Sequence, residues 1–77
     1  MLGRNIKLLR ISENLSQDDL AKKIKVSKQS IYVWEKGEVL PDCENLMILS
    51  KYFDISIDSL VNTKLSISKT NTKTSQK

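Results

Sequence analysis

The stretch QDDLAKKIKVSKQSIYVWEK, residues 17–36, decides the fold of this chain. Apolar residues recur in it at helical spacing on both sides of a short break. Ser16 precedes the first apolar run and Ser27 precedes the second, and serine is a favoured N-cap residue. We expect the first helix to end near Lys25 and the second to end before Gly37. The pattern therefore predicts two short helices joined by a three-residue turn, which presents the second helix outward on the surface of the first.

The two predicted helices divide into an inner and an outer side. The inner side consists of apolar residues, with a small residue where the helices cross: Leu20, Ala21, Ile24, Val26, Ile31 and Trp34. The outer side of the second helix carries mostly long or polar residues, which are left for solvent or for a partner: Lys28, Gln29, Ser30, Tyr32, Val33 and Lys36.

Helical signals continue on both sides of this stretch. Residues 2–13 predict a first helix from apolar residues at helical spacing, and Asp42 and Ser56 are N-caps for two further helices. We expect Leu40 to anchor the loop before Asp42, and Cys43 to fill space as a small apolar residue. The sequence thus predicts an all-α domain of five short helices over residues 1–62. Residues 63–77, mostly Lys, Ser, Thr and Asn, are predicted to form a disordered basic tail.

The composition excludes most kinds of catalytic site. The chain has 77 residues, no His and one Cys, so zinc sites, internal disulfides and Ser/His or Cys/His nucleophile pairs are not expected. A chain of this length buries one core and leaves little room for a deep substrate cavity. No leader segment or apolar run of membrane-spanning length occurs in it. We therefore expect a cytoplasmic binding protein that is no enzyme and uses no metal, cofactor or membrane.

Charge is distributed unevenly along the chain. Residues 1–36 carry eight cations and four anions, residues 37–62 one cation and five anions, and residues 63–77 four cations and no anion. A domain that is basic in its first half and is followed by a basic tail favours a polyanionic partner approached from one face. The alternative is ordinary solvated surface charge.

The sequence resembles the helix-turn-helix domains of phage-repressor-like transcriptional regulators, the Cro/cI-type or XRE family. The resemblance covers residues 2–61, and it rests on four segments in order: LLR (8–10), LSQDDLA (15–21), VSKQSIYVWEKG (26–37) and PDCENLMILSKYFDISIDSL (41–60). It implies a lambda-repressor-like fold whose recognition helix, here residues 27–36, enters the major groove of double-stranded DNA.

Carried onto matching positions, the resemblance implies roles for individual residues. A Gln amide can bind the N6/N7 edge of adenine, a Lys ammonium the O6/N7 acceptors of guanine, and a Val side chain the methyl group of thymine. The implied base contacts are Lys28, Gln29, Ser30, Tyr32 and Val33. The implied phosphate contacts are Gln17, Arg10, Ser27 and Lys36. Arg10 and Glu35 are further implied to form an ion pair that orients the recognition helix; solvated surface positions are the alternative for the polar residues.

Two departures from the family pattern stand out. Lys25 occupies a turn position where Gly is usual, so we expect a strained, positive φ there. The loop from Glu38 to Asp42 is acidic, whereas some relatives carry an Arg there that reaches the minor groove.

The resemblance further predicts a homodimer, at least on DNA, that reads two half-sites. Candidate dimer-surface residues are apolar and lie in the C-terminal half: Ile48, Tyr52, Ile57 and Val61. Scattered surface apolar residues are the alternative.

The predicted function is a sequence-specific DNA-binding regulator, a repressor that occupies an operator. No large second domain follows, so no small-molecule effector is expected. A restriction-modification controller or an antitoxin component would have much the same sequence. The alternative from another class is a helical adaptor that binds a protein partner and has lost DNA recognition.

Overall fold

The computed structural model describes residues 1–66, and five α-helices follow one another along this part of the chain. They are α1 (Leu2–Ser12), α2 (Gln17–Ile24), α3 (Lys28–Lys36), α4 (Cys43–Phe53) and α5 (Ile57–Asn62). The predicted all-α class and the five helices are confirmed. None of these five helices is long and apolar enough to cross a membrane.

Side chains at the N-caps fix where four of the helices begin. Ser16, Ser27, Asp42 and Ser56 each accept a hydrogen bond from the backbone N–H three residues further on. Such a bond satisfies one of the N–H groups that the first helical turn leaves without a partner. The four predicted N-caps are therefore confirmed, and they set the entry of α2, α3, α4 and α5.

The helices share one apolar core, to which every helix contributes. Its fully buried centre comes from α1, α2, α3, α4 and α5 in turn: Ile6, Leu20, Ile31, Leu49 and Leu60. Around these pack Leu2, Ala21, Ile24, Trp34 and Phe53. Burying a large aliphatic side chain stabilises a fold by roughly 1.5–3 kcal/mol, and short helices need this tertiary contribution because they are marginal alone.

Residues with left-handed backbone follow four of the helices. Asn14, Lys25 and Asp54 have φ values of 59°, 62° and 54°, and Gly37 has a φ of 80°. The positive φ predicted at Lys25 is confirmed. For a residue with a Cβ this conformation costs roughly 1–2 kcal/mol, whereas Gly37 adopts it without that cost.

Two expectations for the α3–α4 loop are wrong. Leu40 does not anchor the loop, because its side chain is 71% exposed; Pro41, next to it, is buried instead. Cys43 does not fill space in the core, because it is exposed at the start of α4. The loop thus turns inward one residue later than we expected.

The chain remains packed beyond α5. Asn5 of α1 is fully buried, and its amide nitrogen donates to the carbonyl oxygens of Leu60 and Thr63, each at 2.7 Å. Its side-chain oxygen accepts from the backbone N–H of Leu65 at 3.1 Å. Thr63 and Leu65, both in the predicted tail, therefore lie against α1, so the disorder expected from residue 63 onward is wrong for these first residues. The remainder of that tail, 67–77, lies outside the described residues, and the domain boundary at Asn62 stays a prediction.

Candidate nucleic-acid interface

Helix α3 is held against the rest of the fold along one side only. Ile31 is fully buried and Trp34 is 5% exposed, which confirms the packing role predicted for both residues. Gly3 of α1 makes a close approach possible, because a Cβ at this position would lie 2.4 Å from the carbonyl oxygen of Trp34 and 2.7 Å from that of Glu35. Helix α1 can therefore press directly on the last turn of α3.

The opposite side of α3 is open. Lys28 and Gln29 are exposed, and Tyr32, one turn further, is 43% exposed. Together with Gln17 at the start of α2, these three side chains line one shallow concave surface, which we call the α3 face. The structure thus brings together one residue predicted to contact phosphate and three predicted to contact bases.

Two other predicted base contacts are less accessible. Ser30 is half-buried, and its hydroxyl oxygen lies 3.0 Å from that of Ser27, the N-cap of α3. Because only one of the two hydroxyls donates in this contact, one hydroxyl hydrogen remains available to a ligand. Val33 is also half-buried and packs against the core, so only part of its side chain reaches the outer side of α3.

A buried polar network fixes the angle between α1, α2 and α3. The Nε of Arg10 donates to Glu35 Oε2 at 2.7 Å, and its Nη2 donates to Glu35 Oε1 at 3.2 Å. The side chains of Arg10 and Glu35 are 11% and 5% exposed, so this is a nearly buried bidentate pair. Arg10 Nη1 donates to the carbonyl of Leu15 at 2.8 Å. The predicted Arg10–Glu35 pair is present, and the buried guanidinium leaves little surface for the phosphate contact that we also predicted for Arg10.

Gln17 is the third member of this network. Its Nε2 donates to Glu35 Oε1 at 3.1 Å, so one carboxylate holds both the guanidinium of α1 and the amide of α2. An amide nitrogen carries two hydrogens, and the second remains available to a ligand on the α3 face. Glu35 thereby sets the direction in which Gln17 presents its amide.

Lys36, in the last turn of α3, is engaged by its neighbours. Its Nζ lies 3.4 Å from Tyr32 Oη, 5.2 Å from the centroid of the Tyr32 ring and 3.6 Å from Glu38 Oε2. The hydrogen bond to Tyr32, assisted by the charge of Glu38, raises the pKa of Lys36 above its usual value. To make the predicted phosphate contact, the ammonium group of Lys36 would have to share or give up its contacts with Tyr32 and Glu38.

The start of α2 carries a capping box beside Gln17. The hydroxyl of Ser16 accepts from the backbone N–H of Asp19, and the carboxylate of Asp19 accepts from the backbone N–H of Ser16, both at 3.0 Å. The bond from the Ser16 backbone is the main cause that lowers the pKa of Asp19. This box fixes the first turn of α2 and with it the position of Gln17.

Sequence reasoning missed one residue and one hydrogen bond that position the α3 face. Gly3 permits the contact between α1 and α3, and its signal was a glycine near the start of a predicted helix, where glycine is unfavourable unless close packing requires it. The hydrogen bond from Gln17 to Glu35 was also missed, because the two residues lie 18 positions apart and no local pattern joins them.

Comparisons with known proteins follow the same part of the chain. The family model described as Helix-turn-helix matches residues 6–60, which include all but the first residues of α1 and reach into α5.

Curated relatives are regulators of transcription by name. The HTH-type transcriptional activator BcrR of Enterococcus faecalis is 37% identical over 60 residues, which cover 78% of this chain and 29% of BcrR. The uncharacterized HTH-type transcriptional regulator MJ0272 of Methanocaldococcus jannaschii is 38% identical over 59 residues, which cover 77% of this chain and 89% of that protein. This chain therefore spans less than a third of the length of one relative and most of the length of the other.

Among solved structures, the c2 repressor protein of phage P22 in complex with a synthetic operator superposes with a TM-score of 0.78. The two chains are 34% identical, and the match covers 83% of this chain and 97% of the repressor chain. The lambda-repressor-like fold expected from the sequence is thus confirmed.

Proposed function

This chain belongs to the Helix-turn-helix family, in its phage-repressor-like branch, and we propose that it is a transcriptional regulator that binds double-stranded DNA at specific sequences. In this proposal α3 lies in the major groove and α2 crosses the sugar-phosphate backbone. The solved P22 c2 repressor, which has the same fold, is bound to an operator.

One observation carries the proposal: the α3 face is polar and exposed, and the opposite side of α3 is anchored in the core. Lys28, Gln29 and Tyr32 are exposed along α3, while Ile31 and Trp34 of the same helix are buried. A helix anchored in this way can insert its free side into a groove about 12 Å wide without losing its core contacts.

We divide the proposed DNA contacts by what each side chain can offer. Base contacts fall to Lys28, Gln29 and Tyr32, with smaller contributions from the half-buried Ser30 and Val33. Phosphate contacts fall to Gln17, Ser27 and Lys36, which lie at the ends of α2 and α3. Arg10 acts with Glu35 as an orienting pair behind this surface.

We further propose that two copies bind one operator as a homodimer. The proposed pairing surface comprises Ile48, Tyr52, Ile57 and Val61. Ile57 is 37% exposed, and the other three are partly buried and pack against the core of their own chain. Ile57 is therefore the residue of this set that offers most free apolar surface to a second copy.

Selection of duplexes from a randomised pool tests the proposal directly. We expect the chain to retain duplexes that share one motif, repeated with twofold symmetry about one helical turn apart. The logarithm of the affinity should fall with the logarithm of the salt concentration, with a slope of roughly −0.9 for each phosphate that a Lys or Arg side chain neutralises. Failure to retain any duplex at low salt would support the adaptor instead.

Two glutamine substitutions separate base contacts from phosphate contacts. Gln29→Ala should cost about 1–3 kcal/mol on the selected site and relax the preference at one base pair. Gln17→Ala should weaken binding to all sequences alike and leave the salt slope unchanged, because the glutamine amide is neutral. An unchanged base preference in the first variant would remove Gln29 from the base contacts.

We propose repression as the outcome of binding, because an operator occupied by a small domain blocks the approach of polymerase. A reporter gene downstream of the selected site should be expressed less when the chain is present. Increased expression would instead match the activator role that the name of BcrR records. The proposed role involves no catalytic step, and we propose a cytoplasmic location for the protein.

A further inference from the structure

The C-terminal end of α3 differs from its N-terminal end in that its side chains bind one another. Lys28 and Gln29 extend freely at the N-terminal end, whereas Tyr32, Lys36 and Glu38 form a chain of contacts along the C-terminal end. We call these three residues the Tyr32–Lys36–Glu38 chain. All three are exposed, so their contacts do not serve to fill the core.

Backbone geometry holds Glu38 in place. The N–H of Gly37 donates to the carbonyl of Trp34 at 3.1 Å, and the N–H of Glu38 donates to the carbonyl of Val33 at 3.0 Å. With the left-handed Gly37 between them, these two bonds form a Schellman motif, which folds the chain back onto the last turn of α3. Glu38 is therefore fixed beside Lys36, although it lies outside the helix.

The chemistry of Lys36 fixes the polarity of Tyr32. An ammonium group has three hydrogens and no acceptor, so in its contact with Tyr32 the phenolic oxygen must accept. The hydroxyl hydrogen of Tyr32 is then left to point away from Lys36. The ring is held as well, because the same ammonium group lies 5.2 Å from its centroid.

We propose that Tyr32 is a specificity-determining residue that directs its hydroxyl hydrogen toward DNA as a donor, with Lys36 and Glu38 as the residues that position it. The partner is then a base edge with an acceptor in the major groove, guanine O6 or N7, adenine N7 or thymine O4, and the donor amine N4 of cytosine is disfavoured. This inference rests on the proposed function, because it needs α3 in the major groove.

Glu38 has a second effect in this arrangement. Its carboxylate lies 3.6 Å from Lys36 Nζ as an ion-pair partner, so it competes with phosphate for that cation. Glu38 thus lowers affinity for any DNA while it keeps Lys36 on Tyr32. Removing the carboxylate should therefore raise nonspecific affinity and lower specificity together, a combination that general loss of structure does not produce.

Duplex selection with the whole chain and with three variants tests the inference. Tyr32→Phe should reduce the preference for an acceptor base at one position by about 3- to 10-fold, as expected for one hydrogen bond. Lys36→Met should reduce the preference at that same position, and Lys36→Arg, which keeps a cation and a donor, should restore it. Glu38→Gln should reduce it as well while it increases retention of nonspecific duplex.

Matched controls separate these effects from charge and folding. Lys51→Met and Glu44→Gln change the net charge in the same way at exposed positions of α4, and neither should alter the base preference. Thermal unfolding of each variant should stay close to that of the parent chain. If Tyr32→Phe or Lys36→Met leaves the preference unchanged while the parent chain still selects a site, the inference is wrong and the proposed function stands. If the parent chain selects no site at all, the proposed function itself is wrong.

Discussion

The two ends of α1 each bury one polar side chain, and they satisfy it in different ways. Arg10, near the C-terminal end, is charged and meets the carboxylate of Glu35 on α3, which also holds Gln17 of α2. Asn5, near the N-terminal end, is neutral and meets only backbone groups, two carbonyls and one N–H. The first cluster joins three helices by side chains that must keep one geometry, whereas the second closes the end of α5 against α1.

The Arg10 cluster therefore orients α3, whereas the Asn5 cluster holds the end of α5 against α1. A buried ion pair contributes little net stability, because desolvation offsets most of its attraction, but it tolerates few alternative arrangements. A buried amide with all its hydrogen-bonding groups satisfied stabilises the fold without favouring one orientation of a distant surface. We therefore expect damage at Arg10 or Glu35 to reach the α3 face, and damage at Asn5 to remain a matter of stability.

The largest effect is expected from Glu35→Ala. The change leaves the guanidinium of Arg10 buried without a counter-charge, which typically costs about 3–5 kcal/mol. For a domain whose total stability is of the order of 5–15 kcal/mol, this is a large fraction. Urea denaturation of the variant and the parent chain measures the difference.

A double variant, Arg10→Met with Glu35→Leu, sharpens the same comparison. Replacing both charges by apolar groups removes the unpaired charge, so most of the lost stability should return. DNA affinity should not return, because Gln17 has lost the carboxylate that directs its amide. If affinity recovers along with stability, the network is structural only and does not orient the α3 face.

A smaller effect is expected from Asn5→Ala. Its loss leaves the carbonyls of Leu60 and Thr63 and the N–H of Leu65 without their partner, at about 1–3 kcal/mol for the unsatisfied groups. Asn5→Asp should be worse, because a carboxylate cannot donate to the two carbonyls. The affinity of the folded variant for the selected duplex should equal that of the parent chain.

Asn62→Ala is the matched control for this change. Asn62 is exposed, and its side chain makes one hydrogen bond, to Asp58, in the described part of the chain. Its replacement should alter the free energy of unfolding by less than about 0.5 kcal/mol. An equal decrease in the free energy of unfolding for both variants would show that the burial of Asn5 does not increase its contribution to stability.

Most of the fold was predictable because the decisive signals are local. Each N-cap residue stands next to the helix that it begins. The strained turn at Lys25 was expected from the family resemblance, because Lys25 stands where the family usually has Gly. The buried edge of α3 followed from Ile31 and Trp34, three positions apart on one helical face. Such signals need no knowledge of which helices meet.

What the sequence did not predict depends on contacts between distant segments. Asn5 stands among the apolar residues of α1, and its partners lie 55 to 60 positions further along the chain. Leu40 and Pro41 are adjacent apolar residues, and only the packing of the loop decides which of them is buried. The Arg10–Glu35 pair came from family resemblance, since 25 positions separate the two residues.

The smallest effect on stability is expected at the capping box of Ser16 and Asp19. This box is exposed to water, whereas the hydrogen bonds of Glu35 are buried. The pKa of Asp19 is lowered in the folded chain, chiefly by the bond from the Ser16 backbone, so its carboxylate adds stability above the usual carboxyl pKa of about 4. This contribution is lost as the pH falls through the lowered pKa, because the unfolded chain takes up the proton first.

Asp19→Asn keeps an acceptor oxygen for the Ser16 N–H but removes the charge. Thermal unfolding measured from pH 7 down to about pH 2 should therefore show the parent chain slightly more stable at neutral pH, with the difference disappearing in acid. A stability difference that stays constant over this pH range would mean that the acceptor geometry of Asp19 matters and its charge does not. Asp19 would then differ from Glu35 in two respects, because the charge of Glu35 matters and its side chain is buried.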